Sequence, residues 1–297
     1  MNPLTPLVVD TIAGVRTELR SLSAGPDRKA GDSGAATARV VLVPTMGALH
    51  DGHLALVERA TSVGDVVVVS IFVNPLQFGQ GEDLDRYPRS IEADVAKLAG
   101  LGVSVVFAPT AAEMYPHGRS ATTVHSGDIG TRFEGRARRG HFDGVLTVVA
   151  KLLSIMHPQS VVFGQKDAQQ VFLVKRMIAD LDFPVSVEVV DTVREPDGLA
   201  LSSRNVFLDA NERRAARTLS RALEAAESSA DRGVDAVLAA AQSVLTADTG
   251  VDLDYFSLVD PATFLPVDEG FHGRALVLVA ALVGETRLID NQAIYVG

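Results

Sequence analysis

The sequence predicts an α/β fold: a Rossmann-like parallel-sheet domain over residues 1–192, followed by a smaller α+β domain over residues 193–297 that covers the site. Three observations predict it. From residue 40 to about 190, short β-branched runs alternate with segments of helical periodicity, as in strand–helix–strand units feeding one sheet. Runs such as VVVVSIFV (66–73) are apolar throughout rather than alternating, which suits strands covered on both faces. After about Val193 the order changes to two helices and then several strands. No internal repeat is visible.

Taken in order, residues 8–22 read as a short strand or turn followed by an amphipathic helix. Residues 24–38 are rich in Gly, Ala and Ser without a large apolar side chain, which predicts a mobile loop. A strand at 40–43 runs into Pro44, which is expected to end the ladder because it lacks an N–H. Helix 53–62, strand 66–73, helix 91–101, strand 103–107 and, after a polar stretch, helix 145–156 follow. Strand 161–163, helix 168–181 and strand 185–190 complete the first domain. In the second, Asp209 and Glu212 have the spacing of a capping-box variant that opens an Ala-rich helix running towards Ala230. A helix at 234–245 and strands at 253–259, 274–283, 286–289 and 293–296 are expected after it.

Composition narrows the class of function. The chain has 297 residues, 47% of them hydrophobic, enough for a substantial core in one large or two medium domains. Net charge is −10 with no basic tail or block, so no nucleic-acid partner is indicated. An anionic ligand would therefore need local positive charge at its site. The absence of cysteine excludes disulfides, thiolate catalysis and Cys-ligated zinc, and agrees with a cytoplasmic enzyme. The longest apolar stretches, 66–73 and 275–283, fall far short of a membrane span, and the N-terminus lacks a secretory pattern. A soluble, cytoplasmic protein without a membrane partner is expected.

Five segments carry polar residues that invite a chemical role. In VLVPTMGALHDGH (41–53), His50 and His53 fall where a strand ends and a helix begins, and unpaired N–H groups at a helix start favour an anion such as phosphate. The plain alternative is two loop histidines solvating a turn. FVNPLQF (72–78) carries Asn74 and Gln77, amides suited to hydroxyl and carboxylate groups, or equally to bonding their own loop. RFEGRARRGH (132–141) packs four arginines and a histidine into ten residues, either a solvated face or a mobile anion-facing segment. GQKD (164–167) repeats the strand-end, Gly, helix-start placement. There Asp167 with Gln170 can form a cap, while Lys166 has no comparable structural role. LSSRN (201–205) offers two hydroxyls and the forked guanidinium of Arg204, with a serine-capped turn as the alternative. With no nucleophile elbow and no HExxH, this inventory favours charge stabilisation on a phosphoryl group over covalent catalysis.

PTMGALHDGH, FVNPLQFG, GQKDAQQ and REPDGLALSSRN, in this order and spacing, resemble the pantoate–β-alanine ligase family within the HxGH nucleotidylyltransferase superfamily, over nearly all of 40–297. The resemblance implies ATP-dependent condensation of pantoate with β-alanine to pantothenate through pantoyl adenylate, with Mg²⁺, and a homodimer. It implies an ATP site formed by Met46, Gly47, Ala48, Leu49, His50, Asp51, Gly52 and His53, then Gly164, Gln165, Lys166 and Asp167, then Val193, Leu201, Ser202, Ser203 and Arg204. His53 is the implied proton donor and His50 shares the role; Lys166 and Arg204 hold phosphates beside the Ser202 and Ser203 hydroxyls. Gln77 and Gln170 are the implied pantoate and β-alanine residues; the metal ligands are not assigned. The chain departs from the family pattern at Asp51, Ala168 and Leu201, where Glu, Tyr and Met are commoner. None of these removes a charge-bearing group. Two rival readings stay open: a nucleotidylyltransferase that stops after nucleotide transfer, and a non-catalytic nucleotide sensor.

Overall fold

The computed structural model describes residues 5–24, 38–79 and 90–297. The loop expected at 24–38 lies, apart from Ala24 and Ala38, outside the described residues. Two compact units are found: one within Met1–Gly164 and Leu173–Val190, the other of Gln165–Phe172 and Asp191–Gly297.

The first unit contains β1 (Leu7–Val9), α1 (Ile12–Ala24), β2 (Val40–Thr45), α2 (Asp51–Val63), β3 (Val66–Ile71), α3 (Ile91–Leu98) and β4 (Val103–Phe107). The short helices α4 (Ala111–Met114) and α5 (Glu134–Ala137) precede α6 (His141–Met156), β5 (Ser160–Gly164), α7 (Ala168–Asp180) and β6 (Ser186–Val190). The first five residues of α7 belong to the second unit. The strands form one sheet in the order β1-β4-β3-β2-β5-β6, and every pairing is parallel. The Rossmann-like expectation holds. All six side chains of β3 are buried, which explains why its sequence does not alternate. The α2 residues Leu56, Val57 and Ala60 share a core with Val41, Val43, Val67 and Val69.

The strand order marks the candidate site. From β2 the chain moves outward through β3 to β4, and β5 and β6 lie on the other side of β2. The reversal point therefore lies between β2 and β5, where doubly wound sheets open a crevice at the carboxyl ends of their strands. The turn after β2 carries the HxGH segment, and Gly164 ends β5.

Two boundary expectations in this unit need correction. Pro44 does not end β2: it pairs in register with Ser70, and Thr45 follows with Ile71. The β5 side of β2 is paired only at Val41 and Leu42, so the missing proline N–H removes no ladder bond there. Helix α6 begins at His141, four residues earlier than its apolar run suggests, because polar side chains there bond to neighbouring loops.

The second unit contains α8 (Ala210–Glu227), α9 (Val234–Thr246) and an antiparallel sheet of β7 (Asp252–Val259), β8 (Gly273–Val283) and β9 (Thr286–Val296), in that order. The capping box at the start of α8 forms as expected: Asp209 accepts from the Asn211 and Glu212 N–H groups, and Glu212 accepts from the Asp209 N–H. Alanines along α8 (Ala215, Ala216, Ala222 and Ala226) join one core with Val237, Ala241 and Leu245 of α9 and with β8. The two short strands expected at 286–289 and 293–296 are one continuous eleven-residue strand. Asp290, Asn291 and Gln292 interrupt the apolar pattern but not the ladder, which runs through all three. No helix of the described residues is long and apolar enough to cross a membrane.

Replacing Asp209 by Ala removes the acceptor for two N–H groups of α8 and should lower unfolding stability by about 1 kcal/mol. Urea denaturation should show a lower midpoint at unchanged slope.

Candidate functional site

The HxGH turn is held by side chains on both sides of it. Gly47 and Ala48 both adopt positive φ (84° and 51°), turning the chain sharply after β2. A Cβ at Gly47 would lie 2.9 Å from the Asp94 carboxylate, so glycine is needed there for approach as well as for φ. Asp94, on α3 and 3% exposed, accepts from the Ala48 N–H (3.0 Å) and the Leu49 N–H (2.8 Å). Lys97, one turn further along α3, donates to the Leu49 carbonyl.

Helix α2 begins at Asp51, two residues before the expected start, because His50 itself is the N-cap. Its Nδ1 accepts the Gly52 N–H (3.2 Å), and His53 Nδ1 accepts the His50 N–H (3.2 Å), with ring centroids 4.1 Å apart. This reciprocal pair takes the part usually played by a Ser and a Glu. It also settles the tautomer: with Nδ1 accepting, the proton of each neutral ring resides on Nε2. Two imidazole N–H donors thus stand at the positive end of a helix dipole, where an anion is favoured.

Gln77 is joined to this turn. Its Nε2 donates to Met46 Sδ (3.1 Å), and its Oε1 accepts from Asn74 Nδ2 (3.1 Å). Asn74 caps the short helical turn Pro75–Gln77 and also donates to the Gly144 carbonyl (3.1 Å). The bland reading of Asn74, a loop amide bonding its own backbone, is therefore half right. Gly144 permits the approach: a Cβ there would come 2.3 Å from the Leu76 carbonyl oxygen. His141 Nδ1 donates to the Gln77 carbonyl (2.8 Å), while Arg138 approaches its Nε2 at 3.0 Å. The 132–141 stretch thus ends in a buried histidine that secures the Gln77 turn, with Phe133 at a positive φ of 47°.

In the second unit, adjacent residues of β9 hold two further motifs. Asn291 Nδ2 donates to the carbonyls of Gln165 (3.0 Å) and Lys166 (2.9 Å). Asp290 takes a bidentate pair from Arg194 (2.6 and 3.0 Å) at the start of the loop leading to Ser202–Arg204. That loop is closed by the Leu201 N–H donating to the Val193 carbonyl, by Asn205 donating to Glu195 and the Ala200 carbonyl, and by Arg213 bridging Glu195 and Asp197. Ser202 accepts the Arg204 N–H and so caps a short turn, which is the structural alternative for that serine. Lys166, Gln170, Ser203 and Arg204 are partly exposed.

The structure thus gathers Met46–Leu49, His50, His53 and Gln77 in one unit, and Gln165, Lys166, Val193 and Leu201–Arg204 in the other. Sequence reasoning missed Asp94, Tyr115 and Gly144 in the first unit and Asp290 and Asn291 in the second; it singled out His141 only as part of an arginine-rich stretch and gave Arg194 and Glu195 no role of their own. Only Asp94 and the Asp290–Asn291 pair left a visible sign: charged or amide residues on faces otherwise patterned for burial.

Asp94→Ala should leave two N–H groups of the turn unpaired and cost about 3 kcal/mol in denaturant unfolding; Asp94→Asn should recover part of it. The loop in the second unit should respond to acid. The Arg213 hydrogen bond holds the Glu195 carboxyl below the ordinary range. For Asp197, burial pushes upward, but bonds from the Leu199 N–H and Arg213 outweigh it and lower it too. With folded-state values depressed, this stabilisation is complete above the unfolded carboxylate range and lost as pH falls through the folded values, below about pH 4. Unfolding midpoints followed by circular dichroism should therefore drop in that window, and Arg213→Met should flatten the slope.

The family model described as Pantoate-beta-alanine ligase matches residues 8–293. The pantothenate synthetase of Leifsonia xyli is 62% identical over 264 residues, covering 89% of this chain and 92% of its own. A crystal structure of pantothenate synthetase from Thermus thermophilus superposes with a TM-score of 0.87 at 46% identity, covering 96% of this chain and 98% of that one. A Francisella tularensis pantoate-beta-alanine ligase complexed with beta-gamma ATP and beta-alanine matches with a TM-score of 0.76 at 33% identity, covering 97% of each chain. With the fold, the HxGH turn and these matches in agreement along almost its whole length, the chain belongs to the pantoate–β-alanine ligase family.

Proposed function

We infer that this chain condenses pantoate with β-alanine at the expense of ATP, releasing AMP and pyrophosphate. The observation that carries the reading is the reciprocal His50–His53 cap, which puts the proton of each ring on Nε2 at the start of α2. In the first step a pantoate carboxylate oxygen attacks the α-phosphorus, a P–O bond forms, and the bond to pyrophosphate breaks. In the second the β-alanine amine attacks the acyl carbon of pantoyl adenylate, the amide forms, AMP leaves with the bond electrons, and the nitrogen loses a proton.

Little covalent chemistry is asked of the protein; its task is to place donors where negative charge grows. His53, with His50, donates from Nε2 to phosphate oxygens as charge moves onto the leaving group. Lys166 and Arg204 supply fixed positive charge that the chain's overall acidity does not, and Ser202 and Ser203 add hydroxyl donors. Met46–Leu49, Asp51, Gly52, Gly164, Gln165, Asp167, Val193 and Leu201 line the nucleotide, and Gln77 and Gln170 bind pantoate. Mg²⁺, bound with ATP as part of the substrate, would offset phosphate charge. No group of three His, Asp or Glu among the described residues is arranged to hold it, and phosphate oxygens and water would supply its ligands. Residues 1–192 and 193–297 are proposed as the two functional domains, in a cytoplasmic homodimer.

With ATP, Mg²⁺ and pantoate supplied, AMP release should require β-alanine; AMP formed equally well without it would overturn the ligase reading. His53→Asn keeps a cap acceptor near the Nδ1 position but loses the Nε2 donor, and it should slow single-turnover adenylate formation about 10²–10³-fold. Lys166→Ala should do the same. Adenylate appearing at the wild-type rate in either variant removes that residue from the mechanism.

A further inference from the structure

We propose that Tyr115, through Asn74, is a positioning residue that fixes which end of the Gln77 amide faces the substrate. The inference rests on the reading of Gln77 as a pantoate-binding residue. An amide can present either a donor or an acceptor, and only the donor end suits a carboxylate oxygen. Something must therefore set its sense.

The structure contains a chain of groups that does so. Asn74, 1% exposed, uses all four of its side-chain hydrogen-bonding positions. Its Oδ1 accepts from the Tyr115 hydroxyl at 2.9 Å and, at a longer 3.3 Å, from the Leu76 N–H. Its Nδ2 donates to the Gly144 carbonyl and to Gln77 Oε1, both at 3.1 Å. With the Asn74 oxygen held by two donors, its nitrogen must face Gln77, and the Gln77 oxygen must face Asn74. Gln77 Nε2 is then turned the other way, towards Met46 Sδ at 3.1 Å. A thioether is a weak acceptor, so that N–H is readily surrendered to a ligand oxygen.

The Leu76 and Gly144 backbone groups set the same sense, but the short bond to the Asn74 oxygen is the one from Tyr115. Burial pushes the Tyr115 phenol up to about 12, so it remains an O–H donor at any working pH. Its ring is held independently, 6.1 Å from the Phe72 ring and with the Lys151 ammonium 5.4 Å from its centroid. Tyr115→Phe therefore removes the hydroxyl and leaves the packing in place.

The test is steady-state kinetics on Tyr115→Phe, Gln77→Ala and the double variant, with melting temperatures alongside. Tyr115→Phe should raise KM for pantoate about five-fold, the scale of one hydrogen bond. KM for ATP should be unchanged. In the Gln77→Ala background the same substitution should have no further effect on pantoate, because the amide it orients is gone. Gln77→Ala raising KM for pantoate while Tyr115→Phe does not would overturn the positioning role and leave the reading of Gln77 intact. Gln77→Ala without effect on pantoate would overturn that reading. Equal increases in KM for pantoate and ATP in Tyr115→Phe, or an undiminished effect in the double variant, would show that Tyr115 acts only through the fold and overturn the proposal.

Discussion

The turn after β2 depends on one buried carboxylate. Two consecutive residues there, Gly47 and Ala48, adopt backbone conformations that L-residues disfavour, and for Ala48 this costs about 1 kcal/mol. Asp94 offsets that cost by accepting the Ala48 and Leu49 N–H groups, which otherwise would point into a poorly hydrated turn without a partner. The position of α2 follows from it, since His50 is the next residue and caps the helix. The placement of the His50 and His53 donors is thus set by a residue on a different helix, α3. A side chain is placed precisely only to the extent that the residues behind it are locked.

The same logic recurs at Gln77 and in the second unit, each time with polar residues whose contacts point inward. The Gln77 turn is bonded from three sides: by Asn74 along the chain, by Gly144 through close backbone contact, and by His141 through its carbonyl. Asp290 and Asn291 sit side by side on β9 and each anchors a different segment, one through Arg194 and the other through the Gln165 and Lys166 carbonyls. Ladder pairing fixes β9 along its length, so two neighbouring side chains inherit a fixed separation. The segments bearing Lys166 and Arg204 are tied to that common reference. In a protein of net charge −10, local cations gain from being held in place, because the wider field opposes an anionic ligand.

Much of this was legible in the sequence. Uniformly apolar β-branched runs such as 66–71 report burial on both faces, and their alternation with helices reports a parallel sheet. The Asp209–Glu212 capping box is a local interaction and formed where its spacing placed it. The motif residues stood out because charged and amide groups cluster at strand ends, although His50, Asn74 and Ser202 also serve there as caps. Boundaries were less legible wherever a side chain took an uncommon part. His50 as an N-cap moved the start of α2, polar anchors near Asp143 and His141 moved the start of α6, and the anchors at 290–291 disguised one long strand as two.

By itself the sequence determined the α/β class, the order of the main elements and the polar segments proposed to carry the chemistry, because periodicity and turn composition act over a few neighbouring residues. Only the tertiary structure decided how those segments are held. Asp94 reaches Leu49 across 45 residues, Tyr115 reaches Asn74 across 41, and Asn291 reaches Gln165 across 126. No local pattern encodes such pairings. They exist because strand order and helix packing bring distant residues together, and because a buried polar group must find a partner wherever the fold supplies one.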